Sequence, residues 1–212
     1  MKNLLKRIHY NSPVILTYAL LSAGVLILCT VTRSEPGRLG TVDLMLFSVY
    51  RCSWADPLSY IRMFGHVLGH SDLAHYSGNF LLILLIGPML EEKYGSKRLL
   101  LLIACAAFIM GLVYRIAAPP NTAVLGASGI VFMLIILSSF VNMQHGRLPV
   151  TLIFVAAIYL GKEVFASASQ AVTGANDGVS QFMHIVGGLC GLLFGILLHK
   201  MNKSKTQDEE KI

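Results

Sequence analysis

The 212-residue chain predicts an all-α membrane protein, a bundle of six transmembrane helices with a long membrane-associated outer loop between the first two. Three observations carry this expectation. Hydrophobic residues make up 55% of the chain and charged residues 13%, about half the ~25% charged share of a soluble domain. The apolar residues gather into six runs that contain no Asp, Glu, Lys or Arg. The basic residues collect at alternate ends of those runs, as they do in multi-pass proteins.

The runs cover residues 14–32, 73–90, 99–114, 125–143, 148–161 and 178–198. Crossing the hydrocarbon takes about 20 mostly apolar helical residues, and the first, second, fourth and sixth runs reach that with little help. The third extends to Ala118 if Arg115 snorkels to the interface. The fifth extends to Ala166 only by taking in Lys162 and Glu163. This gives one membrane domain, 1–201, followed by a short polar tail, 202–212, expected to fray. The first run is too long for a signal-peptide core and no small-x-small site follows it. Cys29, Cys52, Cys105 and Cys190 form no close pair, which fits buried thiols rather than a disulfide framework or a metal site.

With six spans both termini share a side. That side holds eleven of the 17 Lys and Arg, from Lys2, Lys6 and Arg7 to Lys203, Lys205 and Lys211. The positive-inside rule therefore places both termini in the cytoplasm. The net charge of +6 reflects these anchors and calls for no nucleic acid. In this topology the second, fourth and sixth spans all start from the outer side. His75 and Asn79 follow Asp72 by three and seven residues, Ser128 follows Pro120 by eight, and His184 follows Asp177 by seven. At 1.5 Å per residue these groups sit at similar depth, up to roughly 10 Å inside.

Ser128 stands in LGASGIVFM, residues 125–133. Small residues around a serine can serve close helix packing, or they can clear space around a nucleophile beside helix-start amides able to hold an oxyanion. His184 is followed by Gly187, Gly191 and Gly195 on its own helical face, a stripe that would draw in a neighbouring helix. If that helix is the fourth, the histidine meets the serine, and histidine is the base that suits neutral pH. The alternative is a hydrogen-bonded packing histidine. His66, His70, His75 and Asn79 crowd the start of the second span. His75 and Asn79 share a face and could donate to a developing negative oxygen, whereas His66 and His70 suit capping and loop fixing. A zinc or haem site is disfavoured, because no thiolate accompanies them and Asp72 is the sole nearby carboxylate. The 33–72 loop, with Trp54, Tyr60 and Phe64, reads as ordered. It would either dip into the interface or fold over the bundle.

Taken together, these residues resemble the rhomboid intramembrane serine proteases, from about Arg62 to Gly195. His70, His75 and Asn79 match H-x4-H-x3-N. Glu91 and Gly95 match E-x3-G, Gly126-Ala127-Ser128-Gly129 matches GxSG, and His184, Gly187 and Gly191 match H-x2-G-x3-G. The resemblance implies a Ser128 nucleophile with His184 as general base, and an oxyanion hole from the Ser128 amide, His75 and Asn79. Gly126 would keep the approach open, Arg62 would organise the outer loop, and Glu91 would make a structural contact at the cytoplasmic turn. His70, Phe132 and Gly187 would support the site, with Phe132 and the glycine stripe holding the imidazole in place of a third carboxylate. Substrates would be transmembrane proteins cut near the outer face, in the lipid bilayer, with no cofactor and no metal. Two departures from the family pattern are Ile61 before Arg62, where tryptophan is usual, and Phe132, where tyrosine is frequent. Met183 is also bulkier than the small residue often found before the histidine. Short tails and a bare core suit a prokaryotic plasma membrane. The rival readings are a non-catalytic helix-binding protein, a proton-relaying transporter and a haem or metal carrier.

Overall fold

The computed structural model describes residues 10–35, 38–141 and 178–209, with a few positions between 150 and 161. Among the described residues, four helices are long and apolar enough to cross a membrane. They are α1 (Pro13–Thr32), α3 (Leu73–Tyr94), α4 (Ser96–Ala117) and α6 (Gly178–Glu209), the last through its Gln181–Met201 part. The short helix α2 (Leu58–Gly65) lies in the loop between α1 and α3. Helix α5 (Ser128–Ser139) is short and apolar. The predicted fifth span falls almost wholly outside the described residues.

Two of these helices start on carboxylates. Asp72 caps α3, its Oδ1 accepting from the His75 amide at 2.8 Å. Helix α1 opens with Pro13, which has no amide to satisfy, and its next two amides, Val14 and Ile15, donate to Glu91 at 3.0 and 3.1 Å. Glu91 is buried in the last turn of α3. One carboxylate thus satisfies two orphan donors and faces the positive end of the α1 dipole. The contact ties α1 to α3 at the end of the bundle far from Asp72.

Helix α5 is the centre of the bundle. Residues on every side of it are buried, including Ile130, Met133, Leu134 and Leu137, as expected of a helix with no solvated or lipid-facing stripe. It packs on α3, α4 and most extensively on α6. The helix is shorter than the apolar run that contains it, because residues 123–127 serve another purpose. Ala123–Val124 form strand β2, paired antiparallel with β1, Val49–Tyr50, of the long loop. Helix α6 runs beyond its apolar window to Glu209 instead of fraying at Met201. No Gly or Pro interrupts 202–209, and Lys, Gln and Glu favour helix.

Between α1 and α3, arginines hold the described residues of the connecting segment together. Arg33 grips the fully buried Asp43 through Nε and Nη2, at 2.8 and 2.7 Å, and also donates to the carbonyls of His70 and Ser71. Burial alone would raise the Asp43 carboxyl, but the guanidinium and the Gly40 amide outweigh it and hold the group below its ordinary range. Arg62, itself buried, donates to the Met45 carbonyl at 3.2 Å and to the Asp56 carboxylate, with Tyr50 beneath its plane. Arg115 corrects an expectation. It does not snorkel outward but lies buried under the loop, donating to Ser53 O at 2.7 Å with Trp54 stacked 3.8 Å away. Loop carbonyls and an aromatic face offer this guanidinium more than a lipid interface would.

Candidate active site

Ser128 is the first residue of α5, so the opening amides of that helix have no preceding turn of carbonyls to bond to and point out of its end. The approach to it is shaped by Gly126, whose φ is +134°, a backbone region that glycine alone enters readily. A β-carbon there would lie 2.8 Å from the His75 ring. The Gly126 amide donates to the His66 carbonyl at 2.8 Å, which fixes the segment to the end of α2.

His184 projects from α6 and stacks on Phe132, with ring centroids 4.4 Å apart and planes 9° off parallel. Phe132 lies one turn beyond Ser128 on α5. The two helices interlock through small residues. A β-carbon on Gly187 would sit 2.1 Å from the Gly129 carbonyl oxygen, and one on Gly191 would sit 2.5 Å from that of Met133. Backbone meets backbone here, so neither glycine can be enlarged without parting the helices. The predicted stripe therefore does face the fourth apolar run. Met183, bulkier than expected at that place, is buried, and its carbonyl oxygen faces Gly129.

The wall opposite comes from α3 and the residues before it. His70 is fully buried, with Nδ1 3.2 Å from both the Leu68 carbonyl and Ser22 Oγ. Ser22 spends its own hydrogen on Leu68 O at 2.7 Å, so Nδ1 carries a proton and donates. Nε2 is then the acceptor. It takes the Asn79 amide at 3.2 Å and the Ala127 backbone N–H at 3.4 Å. Burial, with the nearby His75, pushes His70 down to about 4, and burial does the same to His66. Both rings are neutral at physiological pH. His70 thus fixes which end of Asn79 faces it, and it holds the residue before Ser128. The capping role expected of His66 and His70 belongs instead to Asp72.

His75 packs edge-on against His70 at 5.0 Å and lies within electrostatic range of His184. Ser71 donates its hydroxyl hydrogen to Asp72 Oδ2 at 2.7 Å, and the same oxygen is 3.1 Å from His75 Nδ1. A hydroxyl has one hydrogen, so Nδ1 of His75 must donate to it. The nitrogen that faces Gly126 is Nε2, and it carries a hydrogen only when the ring is doubly protonated.

The structure therefore brings Ser128, His184, Phe132, Gly126, Gly187, His70, His75 and Asn79 into one neighbourhood. Glu91 and Arg62 stand apart. Glu91 lies twelve residues along α3 from Asn79, about 18 Å at helical rise, and Arg62 faces the loop. Sequence reasoning passed over Ser22, Ser71, Arg33 and the Ala127 amide. Ser22 had a weak signal, a lone hydroxyl amid the apolar residues 19–28 of α1, while backbone amides leave none. Among the described residues no three His, Cys, Asp or Glu groups gather to hold a metal.

An all-helical membrane bundle, with a serine heading its buried central helix and a ring-stacked histidine on the helix locked against it, defines the class. The chain belongs to the rhomboid family: the Rhomboid domain model matches residues 57–201. It is an integral, multi-pass membrane protein. It is 27% identical over 177 residues to the rhomboid protease GlpG of Haemophilus influenzae, covering 80% of this chain and 86% of that protein. Similarity extends to the chloroplastic rhomboid-like protein 11 of Arabidopsis thaliana, 28% identical over 151 residues, or 67% of this chain and 54% of the plant protein's length. The putative rhomboid protease YdcA of Bacillus subtilis is 24% identical over 138 residues, covering 61% of this chain and 62% of its own.

Proposed function

We propose that this protein is an intramembrane serine endopeptidase that cleaves transmembrane protein substrates through a Ser128–His184 dyad. One observation carries the reading. The interlock of α5 and α6 at Gly129 and Gly187, with the Phe132–His184 stack, confines the imidazole beside the end of α5 that Ser128 heads. A packing histidine needs no such confinement, whereas a general base that must meet a hydroxyl does.

In this mechanism a substrate helix unwinds at the site, because helical hydrogen bonds shield its carbonyls. Ser128 Oγ attacks the exposed carbonyl carbon while His184 takes the hydroxyl proton. The oxyanion is held by the Ser128 amide and by the Asn79 N–H that His70 leaves free. His75 joins as a donor when its ring presents a hydrogen from Nε2. His184 returns a proton to the leaving amine, and water then releases the acyl-enzyme. The termini lie in the cytoplasm on this reading, and the site opens to the opposite side of the membrane.

The test is labelling of the detergent-purified protein by a fluorophosphonate probe, alongside Ser128→Ala and His184→Ala. Labelling of the unsubstituted protein alone is the expected result. Equal labelling of Ser128→Ala would move the chemistry elsewhere. No labelling of a folded, unsubstituted protein would favour a helix-binding, non-catalytic role.

A further inference from the structure

The residues that face each other across α1 and α4 leave a space that the site does not use. Val14, Thr17, Tyr18 and Leu21 form one stripe on α1, and Leu100, Ile103, Ala104 and Ala107 form another on α4, both at i, i+3, i+4, i+7 spacing. Between them lies a cavity of about 430 Å³, roofed by Phe64, Val67 and Leu68. Packed interiors hold few voids larger than a water. This one is an open groove far larger than a water, and its walls offer water almost no partners. It lies between two membrane-spanning helices and runs along them for roughly 10 Å.

One end of the groove is basic. Lys97 precedes Leu100 by three residues, which puts it on the groove face of α4, and Arg98 is next to it. Both side chains are exposed, and neither enters an ion pair among the described residues. They occupy the first turn of α4, at the level where that span meets the interface. The hydroxyls of Tyr10 and Thr17, 3.0 Å apart, stand on the α1 side of the groove. An apolar slot that ends in unpaired cations and hydroxyls is complementary to one kind of molecule: an acyl chain bearing an anionic headgroup.

We propose that this groove is a binding site for an anionic phospholipid, with one acyl chain between α1 and α4 and the phosphate at Lys97 and Arg98. The bound chain would also brace the loop. Tyr18 lines the groove and donates to the Val67 carbonyl at 2.8 Å, and Leu68, part of the roof, is two residues from His70. Occupancy is thus coupled to the seating of the segment that leads into α3. The binding claim itself does not depend on the protease reading.

The test is native mass spectrometry of the full chain, released from detergent after incubation with phosphatidylglycerol or with phosphatidylcholine of identical acyl chains. Phosphatidylglycerol is expected to be retained more tightly by about fivefold per engaged cation. Leu21→Trp, at an exposed lining position that folding tolerates, should reduce retention of both lipids, and so should Ala104→Leu. Lys97→Gln should lower phosphatidylglycerol towards phosphatidylcholine and leave phosphatidylcholine unchanged. Equal retention of the two lipids by the unsubstituted protein would overturn the site, as would full retention by both groove variants. A Lys97→Gln protein that keeps the preference would overturn the placement of the headgroup. A dimer that Leu21→Trp dissociates would assign the groove to a second copy of the chain instead.

Discussion

The rings of Phe132 and His184 lie nearly parallel at stacking distance, and on the proposed mechanism that contact helps to orient the base. Phe132→Ala removes about 0.5–1.5 kcal/mol of ring contact and frees the imidazole to turn. Fluorophosphonate labelling should then slow by roughly 10²-fold, the scale set by a misplaced reacting group. Phe132→Tyr should label at nearly the unsubstituted rate, because the stack survives. If Phe132→Ala labels normally, the ring is not what holds the base. Ser71 poses a separate question. Its hydroxyl obliges His75 Nδ1 to donate, so the neutral ring offers no hydrogen from Nε2. Ser71→Ala lifts that obligation and makes the Nε2–H tautomer available without charging the ring. Labelling should therefore rise in the Ser71→Ala protein. A fall would mean that the doubly protonated ring is the working donor and needs Ser71 to stabilise it.

Between elements, the α5–α6 contact and the α1–α3 contact separate activity from stability. A methyl at Gly187 meets the Gly129 carbonyl, which belongs to the residue after Ser128, and cannot be accommodated without moving backbone. Overpacking of this kind costs about 1–3 kcal/mol, and an accompanying shift of ~1 Å costs about 10²-fold in rate. Gly187→Ala should thus lose labelling well before it loses its fold. At Gly195 the first atoms met belong to the Phe140 ring, which can rotate, so Gly195→Ala should label almost normally. Equal loss in both variants would reduce the stripe to packing. Glu91→Gln, far from the site, should lower thermal stability by about 1–3 kcal/mol, read from the unfolding midpoint, with labelling unchanged at low temperature. Four of the six expected spans, and the glycine stripe, were legible in the sequence because apolar run length and helical spacing are patterns set by geometry. The length of α5 was not, since residues 123–127 are apolar or small whether they belong to a helix or to a strand and turn. Nor was Arg115, because a guanidinium at a run end reads as snorkelling until the loop that folds over it is placed. Ser22 and the Ala127 amide join the site only through His70, and no spacing rule links residues so far apart in the chain.

At the scale of the whole molecule, two buried histidines shape the response to acid. His66 and His70 are held near 4 when folded but regain an ordinary value near 6.5 when the chain unfolds. Between those values the unfolded state binds more protons, so stability falls as pH drops from about 6.5 to about 4. The Asp43 carboxylate, lowered beside Arg33, adds a further loss only at lower pH, below its ordinary value of about 4. The thermal midpoint should fall between pH 7 and pH 5, and a His66→Gln protein should show a shallower slope. A midpoint that stays flat would show that these rings are solvated. The short β1–β2 pairing has a mechanical meaning. Val49 and Tyr50 of the loop are bonded to Val124 and Ala123, the Gly126 amide is bonded to His66 O, and Ser128 follows two residues later. The loop and the residues before the serine are therefore fastened as a single strap. Lifting that strap would pull on the end of α5 that Ser128 heads, while His184 rides on α6. On the proposed mechanism, a substrate admitted from the loop side would disturb the pairing of Ser128 with His184 as it arrived, so the productive door has to open on another flank.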